Sequence, residues 1–394
     1  MISMGIYVSF SFRILTNAEA LNAVEPLGNI IRHRRVTIIA PAPRNDKHEI
    51  YKHEVFTVPA VSGEAIRHGY QLIMAKLAKV RGINVCKLCE LGEFVKHGVP
   101  DLIENLEQDL HKVLSDENTP LPDKELKVLE TCAVEDVGGF LIPMKNIQIK
   151  RTSRIEVSYM LPAIDDLKFG LDTQFHVRSA PQSQQAVGRG EYQPQSIYYV
   201  ESASAVYTFT VNINLSEIGI VSNCLYSTTS EGSESSSDSK KAEKSSKKSG
   251  NKRIEIIDCK SKSLAPDERV RRAELAIDAL AELVKNGLIG GHHSSYSPHW
   301  QPISGVALVT RPIQTVVYPG HVKDYIHKTA NLAKGNKELL GNIYDYDIFA
   351  YWDKRLDPGL NVENVKEPVE DVTQFFKNVK SKALEWLKEE LGMK

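Results

Sequence analysis

The chain has 394 residues, 42% of them hydrophobic and 25% charged, with a net charge of −1. That supplies a large core, for one elaborated domain or two ordinary ones, and excludes a wholly disordered chain, a collagen, a disulfide scaffold and a coiled-coil rod. No run of about 18 apolar residues is present to cross a membrane, and the five cysteines are sparse and odd in number. With no basic leader in Met1-Ile2-Ser3-Met4-Gly5, a reduced cytoplasmic protein without a secretory signal is expected.

The near-neutral total hides a segregation. Residues 1–81 carry 11 Lys/Arg against 6 Asp/Glu, a net of +5, whereas residues 82–140 carry 5 against 13, a net of −8. This leaves room for a phosphate-binding face, with chance clustering on a solvated surface as the alternative.

In chain order, Ile6, Val8, Phe10, Phe12 and Ile14 alternate with polar residues, which predicts a strand with one buried and one polar face. Glu54–Pro59 reads as another strand. A helix follows from about Gly63 to Val80, capped by Ser62, with Glu64 in its first turn and Ile66, Tyr70, Ile73, Met74 and Leu77 at helical spacing. Further alternations run from Ile155 to Leu161, ended by Pro162, and from Tyr207 to Leu215. Residues 227–253, rich in Ser and Lys, lack the apolar side chains to offset ordering and read as a disordered loop. A second helix spans about Asp267 to Asn286, stopped by Gly287, and Val306–Val309 is a short strand. Val372, Phe376, Val379, Ala383 and Trp386 mark a closing amphipathic helix that packs on the main domain. The order β-α-β-β-α-β is the ferredoxin-like one also used by RNA-recognition domains, with long insertions at about 16–58, 82–146, 163–204 and 216–266.

Five segments carry candidate chemistry. Arg32, His33, Arg34 and Arg35 lie near Asn22, Gly28 and Asn29. Guanidinium groups bind phosphate in bidentate fashion and Asn bonds sugars or base edges; a solvated basic loop is the alternative. At Ser62-Gly63-Glu64-Ala65-Ile66-Arg67-His68 a helix N-terminus offers free N–H groups to an anion, although most capped helix starts bind nothing and no P-loop is present. Phe175-His176-Val177-Arg178 precedes a polar, glycine-bearing stretch resembling a protruding hairpin, and an extended chain puts His176 and Arg178 on one face. Gly290-Gly291-His292-His293, with His299 nearby, reads as a glycine-rich loop of close approach rather than a metal site, because no carboxylate accompanies the histidines. Cys86-x-x-Cys89 is half of a zinc pattern that His97, His111 or Cys132 would have to complete; two buried or solvated thiols is the plainer reading, and no metal or cofactor is assigned. Asp165-Asp166 and the Asp345, Asp347, Asp353 set read as loop and surface residues, and no hydrolase motif is present.

Seven pieces then occur in a familiar order: LTNAEALNAVEPLGN, VPAVSGEAIRHGY, VGGFLIP, KRTSRIEVSYMLPA, FHVR, YTFTVNINLSEIGIV and ERVRRAELAIDALAELVKNGLIGG. Together they resemble the DevR-type CRISPR-associated proteins of the RAMP superfamily, the backbone subunits of archaeal type I-A Cascade. The resemblance implies an α+β fold, an elaborated ferredoxin-like (RRM-like) palm with a helical finger insertion and a thumb hairpin. Residues 1–81 form the first half of that palm and 82–140 the fingers. Residues 141–164 are palm strands, 165–200 the thumb-like insertion and 201–226 a palm strand. After the 227–253 loop, 254–325 complete the palm and 326–394 form a C-terminal extension with its helix.

The function implied is that of a crRNA-binding backbone subunit of an antiviral interference complex. Copies of the chain, with other Cascade subunits, form a helical filament along the single-stranded guide and present it to a target DNA strand, with no membrane involved. Protein reads backbone shape and base pairing reads sequence, as in other RNA-guided systems. On matched positions, the resemblance places Asn22, Ser62, Gly63, Arg67, His68 and His176 toward the RNA. Asn29, Arg32, His33, Arg34, Arg35, Arg178, Gly290 and Gly291 are carried with them. Nuclease relatives use an Asp in the loop after the first strand. Here no Asp precedes Asp46 and Arg34-Arg35 occupy that neighbourhood, so binding without catalysis is expected. The alternatives are a metal-dependent RNA endonuclease of the same superfamily, or a redox or zinc protein centred on Cys86 and Cys89.

Overall fold

A computed structural model describes residues 5–41, 53–143, 148–165, 167–178, 196–222, 227–229, 253–255, 262–289, 297–365 and 368–393. At 178, 196, 227–229 and 253–255 only the backbone is described. The strands are β1 (Tyr7–Glu19), β2 (Ala23–Leu27), β3 (Ile30–His33), β4 (Arg35–Pro41), β5 (His53–Pro59), β6 (Phe140–Pro143), β7 (Gln148–Arg151), β8 (Ile155–Val157), β9 (Leu161–Pro162), β10 (Phe169–Arg178), β11 (Ser196–Asn214), β12 (Ser227–Thr229), β13 (Arg253–Glu255), β14 (His299–Arg311) and β15 (Asp345–Trp352). The helices are α1 (Gly63–Val80), α2 (Lys87–Leu91), α3 (Pro100–Leu106), α4 (Gln108–Ser115), α5 (Leu121–Thr131), α6 (Ala133–Gly138), α7 (Pro266–Asn286), α8 (Tyr325–Leu340) and α9 (Val372–Glu390).

A large sheet runs in the order β15-β14-β1-β11-β3-β2, with β8, β9 and β10 also paired to β11. β1 is central and antiparallel to both neighbours: Phe10 faces Val211 and Ala307, and Phe12 faces Phe209 and Gly305. β11 is long enough for two tasks. Its C-terminal half carries β1, β8 and β9, while its N-terminal half pairs with β10 and, in parallel, with β3.

The alternation in β1 sends Val8, Phe10, Phe12 and Ile14 into the main core, shared with Tyr70 and Met74 of α1, Leu280 of α7 and Phe375 and Phe376 of α9. The α9 rings close on the strand, with Phe376 5.7 Å from Phe10 and 5.9 Å from Phe12 between centroids. The polar face of β1 is covered too. Ser9 Oγ accepts from Val317 N–H (3.1 Å), Arg13 donates to Gly320 O (2.9 Å), and Arg13 Nε lies 3.0 Å from Asp357. Segments after β14 therefore bury what alternation alone leaves as a polar surface.

Between α1 and β6, short helices α2–α6 hold a small core of their own, including Ile103, Leu110, Leu114, Val128 and Leu129. The ends of the Ser/Lys-rich segment, expected within a disordered loop, pair as β12 and β13; residues 230–252 lie outside the described residues. Among the described residues no helix is long and apolar enough to cross a membrane.

Candidate nucleic-acid interface

The site begins where β1 departs from regular pairing. Between Thr16 and Glu19 the register shifts, Ala18 takes a φ of +52°, and its N–H donates to Ser204 Oγ (2.9 Å). Such a bulge re-aims a side chain; here Glu19 is turned inward and wholly buried. Its carboxylate accepts from Tyr207 Oη (2.7 Å) and Leu21 N–H (2.7 Å) and lies 2.8 Å from His33 Nε2. The other ring nitrogen of His33 lies 2.9 Å from the Arg34 carbonyl oxygen. Burial pushes the His33 pKa down, but the Glu19 hydrogen bond and charge outweigh it and the net shift is upward. An acceptor oxygen lies near each ring nitrogen, which favours the protonated ring.

His33 N–H also donates to Glu201 (3.0 Å), and Arg35 pairs with the same carboxylate at 2.8 Å. The four-residue basic run is thus divided. His33 is fully buried, and Arg35 is tied to Glu201. Arg32 and Arg34 are half-buried, and no ion pair is formed by either among the described residues.

The start of α1 is locked to this turn. Asn22 is buried, and its Oδ1 accepts from Ser62 N–H (3.0 Å). Ser62 Oγ caps the helix by accepting from Ala65 N–H (3.2 Å), and Ala60 N–H donates to Arg34 O (2.9 Å). Gly63 sits against β8: a Cβ there would lie 2.4 Å from Val157 O. Asn22 Oδ1, Ser62 Oγ and the close approach of Gly63 thus fix the start of α1 against the turn and β8. The outer side of α1 is different. Arg67 and Lys96 both reach Gly138 O, at 3.3 and 3.4 Å; burial and the neighbouring Arg67 charge lower the Lys96 pKa. His68 is exposed and meets Phe94 edge-on at 5.2 Å. Two cations and an imidazole therefore cluster where α1 meets the helical insertion.

A third group lies on the β10–β11 arm. His176 stands opposite Tyr198 with the rings stacked at 5.3 Å, and Phe175, itself 56% exposed, packs edge-on to Tyr199. Asn29, exposed in the turn after Gly28 (φ +62°), accepts through its carbonyl from Tyr199 N–H (2.8 Å), which ties this turn to the base of the arm. Arg178 is the last position of β10, and Gly290 and Gly291 lie outside the described residues.

Glu19, Glu201, Tyr207 and Lys96 were not among the sequence candidates. A bulge and a pairing between distant strands bring the first three together, and neither leaves a motif. Of the residues offered to complete Cys86-x-x-Cys89, Cys132 and His97 are brought to it; His111 stays on α4 beside Ser115 (3.2 Å).

Residues 10–330 match a model of the family described as CRISPR-associated negative auto-regulator DevR/Csa2. The chain is 40% identical over 220 residues to a protein of Saccharolobus solfataricus named CRISPR-associated protein Cas7/Csa2 1, covering 56% of this chain and 64% of that protein, just under two thirds of its length. It is 29% identical over 341 residues to the same organism's CRISPR-associated aCascade subunit Cas7/Csa2 2, covering 85% and 89%. It is also similar to a chain of a solved CRISPR RNA-guided surveillance complex, pre-nicking, with a TM-score of 0.45 and 11% identity over 96% of this chain and 99% of that one.

Proposed function

The chain belongs to the CRISPR-associated DevR/Csa2 family, and from that premise we propose that it is a crRNA-binding backbone subunit of a type I-A Cascade complex. The match over residues 10–330 carries this reading. It spans residues 10–81 of the basic N-terminal part and the arm on β10 and β11. The antiparallel order β14-β1-β11-β8 supports a ferredoxin-like palm, with α2–α6 as fingers and the β10–β11 arm as thumb.

In this proposal Arg32, Arg34, Arg67 and Lys96 face phosphates, where a guanidinium or ammonium gives affinity without reading sequence. His68, Asn29, His176, Arg178, Gly290 and Gly291 line the path of the strand. Asn22, His33, Arg35, Ser62 and Gly63 fix the backbone that presents them. Copies of the chain stack along the guide, in the cytoplasm, beside other subunits, and the bases stay free for a target DNA strand. Binding proceeds without cleavage.

The test is to purify the chain from its native cells at mild salt and to sequence the nucleic acid that comes with it. RNAs of uniform length, each with one spacer and repeat-derived ends, are expected, and they remain intact when Mg²⁺ is added. Random cellular RNA, or none, overturns the guide-binding role. Cleavage at regular spacing moves the chain to the endonuclease class.

A further inference from the structure

The helical insertion contains a cluster that the proposed RNA contacts leave unused. Cys86 precedes α2, Cys89 lies within it, and Cys132 joins α5 to α6. All three are free and buried, and their sulfurs lie within 4.8 Å of one another. One ligand atom each of Cys86, His97 and Glu135 is grouped just as closely. The two chain segments are tied at this point, since Ala133 N–H donates to Asn84 O (2.9 Å) and Asn84 Nδ2 to Glu130 O (3.0 Å).

His97 is held there against local preference. Lys96 and His97 both take positive φ, +55° and +49°, in a turn closed by Gly98 N–H to Val95 O (2.8 Å). Two successive non-glycine residues in the left-handed region persist only when their surroundings over-determine them. The effect is to bury the His97 ring, which is 2% exposed. Its Nδ1 is bonded to Glu135, while Nε2 is buried without a partner. The thiols have weak partners: Cys86 and Cys89 each lie 3.9 Å from Glu135 Oε1, and the three sulfurs otherwise meet one another. A buried imidazole nitrogen without a partner beside three buried thiols that meet mainly one another calls for a further partner.

We propose that Cys86, Cys89, Cys132 and His97 hold a structural zinc ion, with Glu135 orienting the histidine. A C-x-x-C pair with a third Cys and a His is a closed tetrahedral donor set for zinc. Zn–S bonds of about 2.3 Å place the sulfurs about 3.8 Å apart, a short adjustment from the spacing here. A carboxylate on the second ring nitrogen of a zinc-bound histidine is a common way to fix its orientation. On binding, the three thiols release their protons to solvent, so three thiolates, a neutral imidazole and Zn²⁺ leave the ion and its four ligands with one net negative charge, beside the Glu135 carboxyl group. The ion has work to do. The segments around it are α2 of 5 residues and α6 of 6, too short to hold a helix unaided, and zinc ties both to the turn at 95–98.

The full-length chain is purified without a metal-affinity tag, and its zinc is measured by mass spectrometry and by X-ray absorption. One zinc per chain in a three-sulfur, one-nitrogen shell is expected, released by a mercurial that titrates the thiols. Cys132→Ser and His97→Gln lose it and melt at lower temperature. Glu135→Gln keeps it with affinity weakened by about 10–100-fold. Should a variant fail to fold, the wild-type metal content and absorption shell decide alone. Zinc-free protein with three reactive thiols on unfolding overturns the proposal, as does a Cys86–Cys89 disulfide. The outcome is independent of whether RNA accompanies the chain.

Discussion

His33 carries the sharpest expectation at the scale of one residue. Its pKa is raised by Glu19 in spite of burial. A histidine raised on folding contributes stability that is complete below its unfolded pKa, about 6.5, and that is lost as pH rises through the folded value. Gln in its place carries no charge at any pH. His33→Gln is therefore expected to melt well below the parent at about pH 6, by the ~3–5 kcal/mol that follows breaking a buried pair, and the gap narrows in alkaline solution. Paired thermal scans across that range check it; a gap that does not change with pH places the stabilisation in packing instead. The same residue marks where sequence reading stops. Four basic residues in a row look like one patch, but side chains alternate in a strand, and the chain passes from β3 to β4 within the run. His33 goes inward, and its partner is aimed by a bulge sixteen positions upstream that no spacing rule announces.

Elements were legible in the sequence where their apolar period is complete, and length alone did not suffice, since the 16-residue α8 was not read. α1, α7 and α9 have full apolar stripes, and β1 and the C-terminal half of β11 have clean alternation, so all five were legible. The insertion helices were not, because α2, α3 and α6 have 7 residues or fewer and such pieces are fixed by what they touch. Asp136 of α6 is such a contact. It meets Arg151 at 2.5 Å, Arg272 of α7 at 3.0 Å and Gly219 N–H at 3.1 Å, with Arg151 and Arg272 almost wholly buried. This one carboxylate joins the insertion to the β7 hairpin and to the main helix layer. Asp136→Asn keeps the shape and removes the charge, so that one carboxylate fewer faces the two buried guanidinium groups, Arg151 keeping Glu125 (3.1 Å) and Arg272 keeping Glu268 (2.8 Å). A loss of about 3–5 kcal/mol is expected in urea unfolding. Adding Arg272→Met removes one of the two buried cations that Asp136 balanced and restores part of it; additive losses in the double variant would mean that the two residues do not act as a pair.

For the whole molecule, a net charge of −1 gives no attraction to RNA at a distance. In the proposed role, binding draws on the local excess of residues 1–81, with the acidic insertion supplying Lys96 from an otherwise repelling neighbourhood. Affinity is then a short-range sum over phosphate contacts, and each contact has a signature: for single strands the slope of log affinity on log salt is about −0.7 per phosphate neutralised. On the proposed assignment, Arg67→Ala removes one such contact at the junction of α1 and the insertion. The expected result is weaker binding to every spacer sequence by a similar factor, with the salt slope shallower by about 0.7 and the melting temperature little changed, since among the described residues Arg67 makes one long hydrogen bond, to Gly138 O at 3.3 Å. Filter binding of several unrelated RNAs over a range of salt measures both quantities. A loss confined to some sequences would assign Arg67 to base recognition, and an unchanged slope would take it off the RNA path altogether.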